Sequence, residues 1–425
     1  MPDTLPLARA ALAEHRPEDA LRFIRFALEY PRDPGPLGPW AECLADAARA
    51  LGDEAMAVRA DRVATDGDAE ALFDLGWGLV AAGLCGPAAT LLATANRLRP
   101  HEPAIVLELA TALEHAGANA AAAALLAEEA ALRADRFDAR YLYAFNALMA
   151  GDRVGAKRAH RELCAREDEE RAASARIGSM LQRAAAVAEV TALDTEDLRG
   201  WHYVLTGGIL LHLAPEPPGA KLRGRYGLRQ DTEALCLEGI LRMRRLLGFL
   251  SLEPEILYAL PGRDTAIFVS AASKLLRMPI ETWSPDAKRP GLVVAYDLGA
   301  LEPAVRVALR LRRKGQPLWA HTLSWTEPVG VAPEFATSLH QANMSPWGPR
   351  LARDAAGEVV RLPPRAGSID ELAARTLAAG VDDLPGQSAI EALAQAGDVP
   401  AAGWRSRAQR DPLWFMGPVK SDRLY

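Results

Sequence analysis

The sequence predicts an α-solenoid of helical hairpins followed by an α/β domain with a mostly parallel sheet. Three observations carry that prediction. A ladder of glycines repeats through the first 170 residues, seven of the nine tryptophans lie after residue 200, and strand-length and helix-length apolar runs alternate from residue 256 to 324.

The ladder is the pairs Ala82-Gly83, Ala116-Gly117 and Ala150-Gly151, 34 residues apart twice in succession. A period of this size implies stacked helical hairpins, because one hairpin cannot bury its apolar face without neighbours. Five residues beyond each glycine stands an alanine, at Ala88, Ala122 and Ala156, and the best unit adds Ala95 and Pro100. Gly52 starts the same pattern with Ala57 and Ala64, and His15 starts it with Ala20 and Ala27, off the 34-residue spacing. Small residues suit the close crossing of two helices, glycine the tight turn between them, and proline the end of the second.

This pattern resembles the tetratricopeptide repeat family across residues 1 to 170, and Leu75-Gly76 matches the family's Leu-Gly pair. The resemblance implies protein binding along a concave groove. Counted from the turn glycines, the residues facing it are Glu42, Asp46, Phe73, Asp74, Trp77, Glu108, Thr111, Tyr141 and Phe145. An acidic and aromatic lining points to a protein or peptide partner that is basic and partly apolar. Some members of the family clamp a terminal carboxylate with lysines; the first lysine here is Lys157, which excludes that mode. For the four aromatic residues, packing between helices is the competing role.

Bulk properties bound the rest. At 425 residues with 50% hydrophobic and 24% charged residues, two or three globular domains are expected. The start, Met-Pro-Asp-Thr-Leu-Pro, has no basic-then-apolar leader, and no run reaches the length of a membrane span. Cys43, Cys85, Cys164 and Cys236 are scattered without a Cys-x-x-Cys pair. A reducing, cytoplasmic location is therefore expected, with no zinc site and no disulfide frame. Residues 1 to 170 carry 28 acidic and 18 basic side chains, against a net charge of -6 for the whole chain. An acidic array disfavours nucleic acid, and the more basic second half can dock against it within the molecule.

The expected organisation is a repeat array over 1–170, a capping helix or linker over 171–195, an α/β domain over 196–350 and a short-helical C-terminal extension over 351–425. The capping helix runs from Arg166 to Val190. Trp201–Thr206 and Ile209–Leu213, around Gly207-Gly208, predict a β-hairpin. The apolar spacing over Asp231–Leu250 predicts a helix. Then come a strand (Ile256–Leu260), a helix capped by Asp264 (Thr265–Leu276), strands over Pro279–Trp283 and Leu292–Tyr296, a helix (Glu302–Lys314) and a strand (Pro317–Ser324). Beyond 330 the chain reads as irregular, with short helices at Ile369–Ala379 and Ser388–Ala396 and an apolar end at Trp414–Pro418 that packs back.

Residues 200 to 330, and 256 to 324 in particular, resemble the phosphoribosyltransferase family in strand order and loop placement. The family's two acidic residues and Thr/Gly-rich phosphate loop correspond to Tyr296-Asp297-Leu298-Gly299-Ala300-Leu301-Glu302, where only Asp297 fills an acidic place. Tyr296 takes the other, the threonines are missing, and Glu302-Pro303 opens the next helix. The resemblance therefore implies a domain of that shape without transferase activity, and no cofactor is expected. Arg263-Asp264, on a βα loop, and Asp297 are the candidate ligand residues; a capping Asp beside a solvated Arg is the competing role. The loop Gly219–Gly227 is basic and glycine-rich but lacks P-loop order, and His202 and His212 fall on opposite arms of the expected hairpin with no third ligand nearby. The leading functional reading is an adaptor or scaffold working through the groove. The alternative is an enzyme or a nucleotide- or phosphosugar-sensing module in the second half.

Overall fold

The computed structural model describes residues 4–213, 225–326, 329–354, 357–381, 383–397 and 417–419. The chain divides into two compact units, Met1–Gly178 and Ser179–Tyr425.

The first unit is helical: α1 (Leu5–Ala13), α2 (Pro17–Leu28), α3 (Gly38–Ala50), α4 (Glu54–Thr65), α5 (Ala69–Ala81), α6 (Cys85–Leu98), α7 (Pro103–His115), α8 (Asn119–Glu128), α9 (Ala130–Asp135), α10 (Phe137–Met149) and α11 (Arg153–Arg161). Five hairpins turn at His15, Gly52, Gly83, Gly117 and Gly151, with φ of 57°, 82°, 76°, 76° and 86°. Each turn makes the same pair of backbone bonds. At the third, Gly83 N donates to Val80 O at 2.9 Å and Leu84 N to Leu79 O at 2.8 Å. This is the Schellman closure, which satisfies carbonyls that the helix end leaves unpaired and places one residue in the left-handed region.

Asp53 and Asp152, just past two of these turns, cap the second helices by accepting from Met56 N at 3.0 Å and Gly155 N at 2.8 Å. The alanines five positions beyond the turns, Ala20, Ala57, Ala88, Ala122 and Ala156, are all 0% exposed. Gly76 is required by close approach: a Cβ there lies 2.7 Å from Leu92 Cγ. Leu72, Leu75, Leu79 and Leu92 fill the core between α5 and α6. At about 2 kcal/mol for each buried leucine, such packing and not helix propensity holds the hairpins.

Helix α12 (Asp168–Ala186) contains the division between the units. Beyond α12 the second unit continues with α13 (Leu198–Thr206) and β1 (Ile209–Leu210), which corrects the expected hairpin. Trp201 through Thr206 are all buried, so the run is apolar around its whole circumference and shows no helical period. Gly207, at φ 71°, is the left-handed C-cap of that helix and not a hairpin turn.

There follow β2 (Tyr226–Gln230), α14 (Glu233–Phe249), β3 (Leu257–Ala259), α15 (Arg263–Leu276), β4 (Ile280–Thr282), β5 (Leu292–Asp297), α16 (Pro303–Ala308), β6 (Leu318–Ser324), β7 (Phe335–Met344), β8 (Arg350–Arg353), β9 (Val359–Leu362), α17 (Ile369–Ala378) and α18 (Gln387–Ala396). The main sheet runs β1-β7-β6-β5-β3-β4, with β2 also on β7, and every pairing in it is parallel. β8 and β9 form a separate antiparallel pair. The stretch beyond 330, expected to be irregular, supplies β7, whose first six residues are buried. From β3 the chain passes outward to β4, returns to β5 on the other side of β3, and then steps away through β6 and β7. The strand order thus reverses between β3 and β5, where open parallel sheets leave a crevice at their carboxyl ends.

Candidate functional site

A cleft of about 450 Å³ occupies that place. It is lined by the loop after β3 (Pro261 to Thr265), the end of β5 and its loop (Tyr296, Asp297, Ala300, Leu301), the end of β7 (Asn343 to Ser345), and Arg361. The fold therefore brings Arg263, Asp264 and Asp297 together around one cavity although 33 residues separate the last two. Gly262, at φ 126°, turns the chain from β3 into α15 and is its N-cap. Asp264 is accordingly not the cap: it sits in the first turn, where its charge complements the helix dipole. Arg263 is a solvated side chain, 45% exposed, 3.7 Å from the Asp264 carboxylate, and it is anchored as well. Its guanidinium donates to Trp347 O at 3.3 Å and Arg365 O at 2.9 Å, holding the chain around the cleft rim. Asp297 accepts from Gly299 N at 2.9 Å, which shapes the β5–α16 loop. Pro303 stands in the first turn of α16, as expected.

Beneath the cleft lies a buried polar cluster. The β5–β6 register pairs Ala295 with Ala320 and Asp297 with Thr322, which sets Tyr296 beside His321. Asp231, at the end of β2, accepts on one carboxylate oxygen from Tyr296 Oη at 2.7 Å and His321 Nε2 at 2.9 Å, with Cys236 Sγ at 3.4 Å. Asn343 Nδ2 donates to Tyr296 Oη at 3.1 Å, so the cluster reaches the cleft through Tyr296 and Asn343. Burial works to raise the Asp231 carboxyl, but the imidazole, Arg229 and the Tyr296 hydroxyl outweigh it and hold it well below the usual carboxylate range. Burial, and then the Asp231 charge, push the Cys236 thiol and the Tyr296 phenol well up. Cys236 is thus a protonated thiol at 0% exposure, which denies it a nucleophile's role toward a ligand in the cleft. Asp231, Cys236 and His321 are also a donor set for a metal, their ligand atoms all within 4.8 Å of one another.

In the sequence Tyr296 stands out only as a departure from the family pattern, and no local motif marks Asp231, Cys236, His321 or Asn343 as a cluster. One signal was present: His321 interrupts the apolar run of β6, Leu318–Leu323, and a lone imidazole inside a buried strand needs a polar partner.

In the helical unit the nine expected groove residues lie on α3, α5, α7 and α10. Trp77 is 48% exposed and Arg59 stands over its ring at 5.4 Å. The acids have arginine neighbours: Glu42 with Arg9 at 3.6 Å, Asp46 with Arg49 at 3.5 Å, and Asp74 with Arg62 at 3.3 Å and Arg59 at 3.6 Å. Burial raises the Glu108 carboxyl, and Thr111 bonds back to Leu107 O at 2.9 Å. Phe73 is partly buried against the core, and Tyr141 stacks between Phe137 and Phe145 and bonds Arg176. Phe145 is 4% exposed, so it is a core residue and not a groove residue.

Of the other motifs, Gly219 to Gly224 and the apolar end up to Met416 lie outside the described residues. His202 is on α13, and His212 is taken by Glu238, at 2.9 Å, with Arg229 at 3.3 Å from its other nitrogen. Among the described residues no helix is long and apolar enough to cross a membrane.

Fold and cleft define the second unit as a parallel α/β unit with a ligand-sized crevice at its strand-order reversal. No protein-family model matches the chain, and no curated protein is significantly similar to it.

Proposed function

We propose that the α/β unit binds a small anionic, hydroxyl-bearing ligand, a nucleotide or a phosphorylated sugar, in the cleft at the carboxyl ends of β3 and β5. The observation that carries this reading is the convergence of Asp264, Asp297, Tyr296, Asn343 and Arg361 on one cavity at the reversal of strand order. The cavity has the volume of small-ligand sites in general. Arg361 offers positive charge for an anion, while the two aspartates suit hydroxyl groups. Asn343 Oδ1, buried without a hydrogen-bond partner among the described residues, adds an acceptor. The resemblance to phosphoribosyltransferases points to the same ligand class without their phosphate loop.

The test is a thermal-shift and calorimetric screen of the full chain against nucleotides, phosphorylated sugars and their unphosphorylated counterparts. A ligand at 100 times its Kd stabilises by about 2.7 kcal/mol. Asp264→Asn with Asp297→Asn, which keeps the loop acceptor at 297, removes that shift. Failure of every phosphorylated compound to shift the wild type ends this reading.

The helical unit supports a second, compatible role: a tetratricopeptide-like solenoid that binds a basic, partly apolar segment of a partner protein. It is favoured by five congruent turns with a fully buried alanine five residues on, and by Trp77 standing exposed beside Asp74. A panel of basic peptides titrated against the wild type and the Trp77→Ala, Asp74→Ala double variant tests it. Equal affinities for both proteins count against the groove.

A further inference from the structure

We propose that Asp231, Cys236 and His321 form a zinc site buried beneath the floor of the cleft. The site does not depend on what occupies the cleft.

The donors are one carboxylate oxygen, one sulfur and one imidazole nitrogen, and sulfur with nitrogen favours zinc over magnesium or calcium. Their separations are 2.9 Å for O to N, 3.4 Å for O to S and 3.6 Å for N to S. Zinc bond lengths at tetrahedral angles demand edges of about 3.3 to 3.6 Å, so the three atoms already stand near the corners of a zinc tetrahedron. The Tyr296 hydroxyl stands 2.7 Å from the same Asp231 oxygen, and Tyr296 is the residue that joins the site to the cleft lining.

Each ligand is fixed by its own element. Asp231 is held by its backbone bond to Met344 O at 2.9 Å and by Thr232 N on its second oxygen at 2.8 Å. Cys236 rides on the first turn of α14, and His321 is set by the sheet register. All three residues are buried, at 5%, 0% and 1% exposure.

Without an ion, three hydrogen-bearing groups crowd one oxygen of Asp231. A divalent ion replaces that arrangement in a balanced way. The Cys236 thiol loses its proton to solvent, and the His321 proton moves from Nε2 to Nδ1, which is buried with no hydrogen-bond partner among the described residues. The thiolate and carboxylate then cancel the two positive charges, leaving a neutral centre suited to burial. The sequence hid this site because its ligands are 5 and 85 residues apart in the chain and belong to a loop, a helix and a strand.

The test uses the untagged full chain. Elemental analysis after chelator treatment and reloading with zinc chloride is expected to give about one zinc per chain, falling below about a tenth of that in Cys236→Ala and in His321→Gln. Loading with cobalt chloride is expected to give a thiolate-to-cobalt charge-transfer band with the intense visible bands of a tetrahedral ion, and the wild-type spectrum decides even where a variant fails to fold. A wild type that takes up neither metal overturns the proposal. So does a cobalt spectrum without the thiolate band, or undiminished zinc in a folded Cys236→Ala.

Discussion

Glu114 in the helical unit and Asp231 in the α/β unit are both buried carboxylates, 8% and 5% exposed. Glu114 meets the side-chain amide of Asn146, which donates at 2.7 Å and in turn accepts from Asn119 at 2.9 Å. Burial dominates there, and against Asn146 and the charge of Arg176 it pushes the carboxyl up to about 7. Asp231 collects an imidazole, a phenol, a thiol and a backbone amide, and burial loses. Burial alone therefore does not set the sign of a pKa shift; the positive charge of His321 and Arg229, with the hydrogen bonds from His321 and Tyr296, sets it at Asp231. Consecutive helical hairpins pack each helix largely on its sequence neighbours and rarely gather many donors at one point. The carboxyl edge of a parallel sheet gathers them from several elements by construction, and so it is also where a site can form.

The largest expected effect that separates the two units is pH dependence in the helical one. The folded value of Glu114 lies above its ordinary 4.5, so between about pH 4.5 and 7 the folded chain keeps a proton that the unfolded chain has released. Stability of this unit is full below that window and falls as pH rises through it, by about 1.4 kcal/mol per pH unit and on the order of 3 kcal/mol in all. Glu114→Gln mimics the protonated form, flattens the slope and stabilises the unit at pH 8. Because two units need not unfold together, the readout is hydrogen exchange resolved to α7 and α10, with β5 and β6 as the internal control. A variant whose α7 amides keep the wild-type slope breaks the comparison.

Legibility in the sequence follows the same divide. The turns at Gly83, Gly117 and Gly151 and the alanines five residues on are local requirements, and each is met where the spacing placed it. The alternation from 256 to 324 was legible too, since buried parallel strands such as β5 are short apolar runs set off by loops. Two elements were not. α13 is buried on every side and has no period to read, and β7 mixes Thr337, Ser338 and His340 into a buried strand because cross-strand bonds satisfy them, as where Trp319 Nε1 donates to Thr337 at 2.9 Å. The cleft residues Arg263, Asp264 and Asp297 were found by their position at strand ends, which is a topological argument. Their individual roles depended on partners such as Trp347 and Arg365, 84 and 102 residues from Arg263 in the chain.

The smallest effect tests whether the five turns are physically one turn. A Cβ added at Gly117 meets nothing within 4 Å, so Gly117→Ala costs only the backbone term of a left-handed residue, about 1 kcal/mol, with no packing clash. His15 occupies the equivalent place in the first hairpin at φ 57° and already bears that term. His15→Gly is therefore expected to act with the opposite sign, raising the stability of α1–α2 by up to about 1 kcal/mol, less the added freedom glycine gives the unfolded chain. Local hydrogen exchange in α7–α8 for the first substitution and α1–α2 for the second measures both. Opposite shifts of similar size support a shared turn energy. Equal signs mean that the common φ and the common pair of backbone bonds arise from different local balances in the two hairpins.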